Sequence, residues 1–240
     1  MPICKFCAEE RPLCKSHIVP EFLYKSLYNS KHEMMGIGPA HKSGHRLVRS
    51  GVYERLLCSD CEHYFSINFE QPFKLTWVDN YPYPKVWNEK EIYCAQFDYV
   101  SFKLFHLSVL WRAAVSSRLD FAEVNLGPHE ERIREMLRHR IAGPAHHYPI
   151  VGFAVVHHKT KRTVPVMLRS DAIRIDACQG FRMIGIMFGG VQWHYGVSSH
   201  RCKYIEYAAL RADGVLPLSA YDWNELPGMQ AAAEYLRRAG

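Results

Sequence analysis

Cys4-Lys-Phe-Cys7, Ser16-His17-Ile-Val-Pro20 and Leu56-Leu57-Cys58-Ser-Asp-Cys61-Glu62 are the three stretches that decide how this chain is read. Each C-x-x-C knuckle is a tight turn that aims two sulfurs at one point, so two of them supply the four thiolates of a tetrahedral zinc site. A site with four protein ligands is closed. It contributes folding energy and leaves no position for a reacting water. The zinc expected at Cys4, Cys7, Cys58 and Cys61 is therefore a staple, and the chemistry has to lie in what it holds: a strand carrying His17 and a helix opening near Ser59.

The order of elements around the staple supports this reading. Pro12 to Val19 has strand character and ends at Pro20, which cannot continue a ladder. Phe22, Leu23, Leu27 and Tyr28 suit two helical turns over Glu21 to Tyr28. Residues 29–46 are rich in Gly, Ser, Asn, His and Lys, and predict a long loop of the kind that carries function. Leu47 to Leu57 returns to strand character. Ser59 followed by Glu62 fits a capping box, opening a helix with Tyr64, Phe65, Phe69 and Phe73 on its apolar side.

Strand, long loop, strand and helix, with Cys4, Cys7, His17, Pro20, Cys58 and Cys61 at these places, resemble the HNH endonuclease family. Its ββα-metal fold often carries a four-cysteine zinc staple. The resemblance covers about the first 75 residues and implies metal-dependent hydrolysis of phosphodiester bonds, in DNA before RNA. His17 would then be the general base on the attacking water, a task suited to an imidazole of ordinary pKa near 6.5. A second cation, Mg²⁺ or Mn²⁺, would stabilise the scissile phosphate, held through His17 and Glu62. The chain departs from the family at two points. Ser16 stands where an Asp ligand is usual, and Glu62 where Asn or His is common. Glu62 is thus either a hard oxygen ligand or simply the capping residue of its own helix. Glu54 lies nearest the place of the Asn that orients the base, and is either that residue's stand-in or an exposed strand carboxylate. Lys42, Arg46, Arg49 and Arg55 form a basic run suited to tracking a nucleic-acid backbone; His41 and His45 are further candidates without spacing support.

Composition sets wider limits. The chain has 240 residues, 48% hydrophobic, five Trp and a net charge of +6, a globular composition that permits a nucleic-acid partner without demanding one. Over residues 1–75, ten Lys and Arg face eight Asp and Glu, so four thiolates with one Zn²⁺ bring that module near neutrality. No apolar run reaches the eighteen residues of a membrane span, and the chain opens without an apolar signal core. Both features predict a cytoplasmic protein with no membrane partner. Cys14, Cys94, Cys178 and Cys202 are scattered and expected as buried thiols.

The fold expected is α+β: a zinc-stapled ββα-metal module over 1–79, then a helical segment and a mainly antiparallel β region over 91–240. The break between them is Asn80-Tyr-Pro-Tyr-Pro84. Phe97 to Leu119 is an aromatic, all-round apolar helix destined for the middle of the second region. Pro128 to Ile141 is framed as a helix by Pro128 and Gly143. Ile150–Val156 and Thr163–Leu168 read as a hairpin. Ala172–Ala177, Gly180–Phe188, Val191–Val197 and Tyr204–Leu210 read as strands, with Gly189-Gly190 a two-residue turn. A last helix is expected over Trp223 to Arg238. Nothing in the second region matches a phosphate loop, nucleophile elbow or dinucleotide fingerprint. Two rival functions therefore stand beside the nuclease: a catalytically inactive, zinc-dependent nucleic-acid-binding module, and a zinc-stabilised adaptor that holds a protein partner through the aromatic second region. The oligomeric state is open.

Overall fold

In the computed structural model the described residues are 1–37, 45–48, 51–88, 92–164, 169–177 and 181–225. Among them the chain combines helices with three sheets, an α+β protein. Strands β1 (Leu13–His17) and β4 (Tyr53–Cys58) form an antiparallel pair in which Ser16 lies opposite Glu54 and His17 opposite Tyr53. The expected helix at Glu21–Tyr28 is instead two 3-10 turns, Glu21–Leu23 and Lys25–Leu27. The expected loop 29–46 contains a second antiparallel pair, β2 (Met34–Ile37) with β3 (His45–Val48).

From β4 the chain turns directly into a helical run over residues 59–79. It alternates α1 (Ser59–Phe65), a π segment (Ser66–Glu70), α2 (Gln71–Lys74) and a second π segment (Leu75–Asp79). The cause is visible in its buried side chains. Phe65, Phe69, Phe73 and Trp77 recur every four residues, and all are almost fully buried. A pure α-helix advances 3.6 residues per turn, so a period of four would wind the stripe off the core. The wider π turns restore the phase, and the aromatic row stays on one face.

That face meets α3 (Tyr99–Val115), whose N-cap Asp98 accepts a hydrogen bond from the Ser101 amide. Every residue from Phe102 to Ala113 is buried, as expected for a helix that is apolar all round. On one side Phe105 stacks on Phe73 at 3.6 Å; on the other His106 and Phe102 pack against Trp193. α3 is thus the middle layer between the helical run and the large sheet.

The large sheet has the order β5-β10-β6-β9-β8-β7, from β5 (Tyr93–Gln96), β6 (Ile150–Val156), β7 (Arg169–Ala177), β8 (Phe181–Phe188), β9 (Val191–Gly196) and β10 (Val215–Asp222). All neighbours are antiparallel except β10 with β6. β8 and β9 are joined through Gly189 (φ +60°) and Gly190 (φ +78°), the two positive φ values that a tight hairpin of the right twist requires. The Gly189 carbonyl accepts from Trp77 Nε1 at 3.1 Å and Tyr83 Oη at 2.7 Å, tying the end of the helical run to this hairpin.

Several expectations need correction. The partners of β6 are β9 and β10; of the expected hairpin the described residues show a bridge from Val156 to Thr163 and a hydrogen bond from the Val164 amide to the Val155 carbonyl at 2.8 Å, and 165–168 lie outside the described residues. Tyr204–Leu210 begins as a short helix, α5 (Lys203–Glu206), because Tyr204 and Tyr207 point to solvent while Ile205, Ala209 and Leu210 are buried. Pro128–Ile141 shortens to α4 (His129–His139), and its left-handed C-cap residue is Arg140 rather than Gly143. Of the last helix only a 3-10 turn, Trp223–Glu225, falls within the described residues. Cys94 is exposed on the edge strand β5, Cys14 and Cys202 are partly buried, and Cys178 lies outside the described residues. One continuous apolar core runs from Cys4 and Phe6 through α3 to Leu218, so segments 1–79 and 91–240 share it.

Candidate metal centre and the histidine site beside it

The four cysteines converge. Their Sγ atoms all lie within 4.8 Å of one another, with Cys7 Sγ 4.0 Å from Cys58 Sγ. Four sulfurs at about 2.3 Å from one Zn²⁺ would stand near 3.8 Å apart, so the donor set fits tetrahedral zinc with little adjustment. The first knuckle is shaped by its backbone. Ala8 takes a positive φ of 63°, its amide donates to the Cys4 carbonyl at 2.9 Å, and the Cys4 amide donates to the Glu9 carbonyl at 2.9 Å. In the second, Cys58 is both the last residue of β4 and the N-cap of α1, and its amide donates to Cys4 Sγ at 3.3 Å.

The thiols are poised for a cation. Burial pushes the Cys4 thiol up, but amide groups at Cys7, Cys58 and Phe6 outweigh it and hold it down at about 7. Burial and the neighbouring thiols push Cys61 up. Four thiolates this close repel one another, and a doubly charged ion is what allows all of them to ionise. Among the described residues, no other group of three or more His, Cys, Asp or Glu side chains brings its donor atoms together this way.

His17 ends β1, partly buried, its ring set edge-on against Tyr24 at 6.5 Å and Tyr53 at 6.0 Å. Burial lowers its pKa below the ordinary 6.5, against the opposite pull of Glu21 and Glu70. The imidazole is therefore neutral at pH 7. Its backbone is anchored from the far side of the core: Arg112 of α3 donates through Nη1 to the His17 carbonyl at 2.7 Å and to Glu70 Oε1 at 2.7 Å. Arg112 is 1% exposed and lies over the Phe65 ring at 5.4 Å. Glu70, on the first π segment, has 22% of its side-chain surface exposed.

Glu62 does not cap its helix. Cys58 takes the N-cap place and Ser59 the first helical position, with no side-chain cap bond. Glu62 is therefore one position further along than a capping box requires, a rotation of about 100° about the axis. Its carboxyl is partly buried beside Ser16, whose Oγ accepts from the Leu57 amide at 3.0 Å. Burial raises the Glu62 pKa, with Ser16 and Arg112 opposing. Its Oε1 is buried without a partner among the described residues. That oxygen is a hard donor of the kind Mg²⁺ and Mn²⁺ prefer, although among the described residues it belongs to no group of three or more converging ligand atoms.

Glu54 is engaged elsewhere. Its Oε2 accepts from Ser116 Oγ at 2.6 Å and the Ser117 amide at 2.9 Å, and its Oε1 from Ser117 Oγ at 2.6 Å. Burial works to raise its pKa, but these bonds and Arg118 bring it below the usual carboxylate range. Glu54 thus fastens β4 to the end of α3. Arg55 donates through Nη1 to the Leu13 carbonyl at 2.8 Å, bracing the β1–β4 pair. Arg46 falls on β3, while Lys42 and Arg49, like His41, lie outside the described residues.

The side chains that sequence reasoning passed over are Arg112 and Glu70. Their signal was present: Lys103, His106 and Arg112 interrupt an otherwise apolar helix, and a cation in such a helix needs a buried partner. Among the described residues no helix is long and apolar enough to cross a membrane. The chain matches no protein-family model, no curated protein and no solved structure.

Proposed function

We propose that this chain is a metal-dependent endonuclease of HNH type that hydrolyses phosphodiester bonds, with DNA as its substrate class. The observation that carries the reading is His17: a neutral, partly exposed imidazole at the end of β1, on a hairpin whose second strand runs into a four-cysteine centre. A neutral imidazole can take the proton of an attacking water at pH 7, and Glu70 with Glu21 stabilises the imidazolium that results. Glu62 Oε1 would hold a divalent cation, which supplies charge stabilisation at the phosphoryl oxygens. Arg112 keeps β1 in place while this happens. Basic side chains at Lys42, Arg46, Arg49 and Arg55 would follow the phosphate backbone, a contact that weakens with salt. By analogy with the family alone, such a nuclease belongs to prokaryotic defence or mobile elements in the cytoplasm.

The test is plasmid cleavage by the zinc-loaded chain under a titration of Mg²⁺ and Mn²⁺. Nicking that depends on the metal and is lost in His17→Ala, at unchanged melting temperature, is the expected result. Cleavage by His17→Ala at the wild-type rate would sink the assignment. One observation favours a second reading, a nucleic-acid-binding module without catalysis. Ser16 and Glu62 stand where the family places metal ligands, and here Ser16 is fully buried and its Oγ is taken up by the Leu57 amide. DNA retarded in a gel but uncut at any metal concentration would decide for it.

A further inference from the structure

Below the 3-10 turn that follows Pro20 lies a cavity of about 710 Å³. This is within the range of about 300–1,000 Å³ typical of small-molecule sites. Phe22, Leu23, Trp77 and Val78 are among the residues that line it, and its lining is mainly apolar. Lys85 and Arg162 stand at its edge, both exposed, and no carboxylate lines it among the described residues. An apolar interior beneath two cations and no anion is complementary to one kind of occupant.

The cationic edge is built in advance. Val86 bridges to Arg162, the Thr163 amide donates to the Lys85 carbonyl at 3.1 Å, and the Trp87 amide to the Lys161 carbonyl at 3.0 Å. Tyr81 Oη bonds to Thr163 Oγ1 at 3.1 Å. The floor is fixed as well, since Trp77 is pinned through Nε1 to the Gly189 carbonyl. A site so held loses little ordering entropy when it is filled.

We propose that this cavity binds a small amphiphilic monoanion. An apolar ring or chain fills the interior, and a single carboxylate, sulfonate or phosphate head meets Lys85 and Arg162 through charge-assisted hydrogen bonds. The proposal does not depend on the nuclease reading, because none of its residues is placed in that chemistry.

The experiment titrates the full zinc-loaded chain with 8-anilinonaphthalene-1-sulfonate, read by fluorescence, with decanoate and naphthalene-1-sulfonate as competitors. One saturable equivalent per chain is expected. Lys85→Glu and Arg162→Glu should each weaken it by about tenfold, the loss of one charge-assisted contact. Ser26→Trp, at the exposed mouth, should block it. Displacement by decanoate identifies a cavity that accepts chains, and displacement by naphthalene-1-sulfonate alone one that accepts rings; either supports the proposal. Three results would overturn it: no saturable binding, binding unchanged by the three substitutions, or exclusion of the dye by a dimer that buries the cavity. Each variant is checked by its thermal melt. If one fails to fold, the surviving substitutions decide.

Discussion

Arg112→Met tests whether the candidate site is held together from the far side of the core. Methionine keeps the length and apolar bulk of the stem, so the packing over Phe65 survives and only the guanidinium is lost. Four acceptors then lose a donor: the His17 carbonyl and Glu70 Oε1, each 2.7 Å from Arg112 Nη1, and more weakly the Ser108 carbonyl and Oγ, 3.3 Å from Nε and 3.4 Å from Nη2. Removing one partner of a buried ion pair costs roughly 3–5 kcal/mol, because the other charge is left uncompensated. Glu70 retains 22% of its side-chain surface, so water takes over part of the role, and the lower figure of about 3 kcal/mol applies. For a chain of this size each kcal/mol moves the melting temperature by about 2–4 °C, giving a drop of roughly 6–12 °C. Denaturant titration of the zinc-loaded chain measures it. Adding Glu70→Gln removes the stranded charge and should recover about 1–2 kcal/mol, a coupling that independent sites would not show. The imidazole supplies a second readout. Arg112 lowers the His17 pKa and Glu70 raises it, so Arg112→Met should move the titration of His17 upward. A loss below about 1 kcal/mol, with His17 titrating as before, would refute the idea that α3 anchors the site.

Stripping the metal with a chelator, or changing Cys58→Ser, should destabilise the chain by several kcal/mol and release one zinc per molecule; an unmoved melt would remove the zinc assignment. Burial holds the His194 imidazole down to about 4, from an ordinary 6.5, and keeps His106 neutral as well. The unfolded chain then binds the protons the folded one refuses, so stability is full above pH 6.5 and falls with pH toward 4. His194 alone accounts for roughly 3 kcal/mol of that loss, and urea titrations at pH 7.5 and 5 should show a shallower decline in His194→Gln. Gly189→Ala should cost about 3 kcal/mol, since its Cβ would meet Trp77 Nε1 at 2.5 Å as well as adopt a φ of +60°. Gly127→Ala, at a φ of +52° with nothing within 4 Å, should cost only about 1 kcal/mol of backbone strain; equal losses would place the penalty in the backbone and not in the contact.

How much of this was legible depended on whether the signal was local. The knuckles could be read because ligand spacing is a property of a few adjacent residues, and β6, β8, β9 and the glycine turn because alternation and φ preference are local too. β5 and β10 were missed for a physical reason. In β5 only Ala95 is buried, so no alternating pattern exists to be seen. Pro217 speaks against a strand in β10, yet it is tolerated because pairing with β6 starts only at Leu218, leaving the proline opposite Cys94 alone. Tyr204–Leu210 was misread because aromatic content favours strands on average, while the i, i+3 spacing of its two exposed tyrosines carries the actual face. At the site, His17 and its cysteines were visible in sequence, and Arg112 showed only as a cation in an apolar helix, without its distant partners. The two partners that tie it to the site lie 95 and 42 residues away, and no local pattern encodes them.

That distance bears on what the second region is for. The Pro-rich break after Asp79 invites a division into a zinc module and a companion, yet the ties across it are numerous and specific. Arg134 and Arg138 of α4 both donate to the carbonyl of Phe6, inside the first knuckle, at 3.2 Å. Tyr64 Oη returns the contact by sharing its one proton between the carbonyls of Leu137 at 2.9 Å and Arg138 at 3.0 Å in the last turn of α4. Glu54 holds the end of α3, Arg112 holds β1, and Trp77 holds the β8–β9 turn. Each joins a backbone or buried charge on one side to a side chain on the other, so the strand bearing His17 cannot shift without breaking a bond to α3. A zinc ion at the four cysteines would fix the knuckles relative to β4 and α1 without a ligand from β1, and Ser16 and His17 are held instead by Leu57 and Arg112. The second region therefore acts on the candidate site in a definite way: it supplies the fixed wall against which the short β1–β4 pair, joined to the four-cysteine cluster, can hold a histidine still.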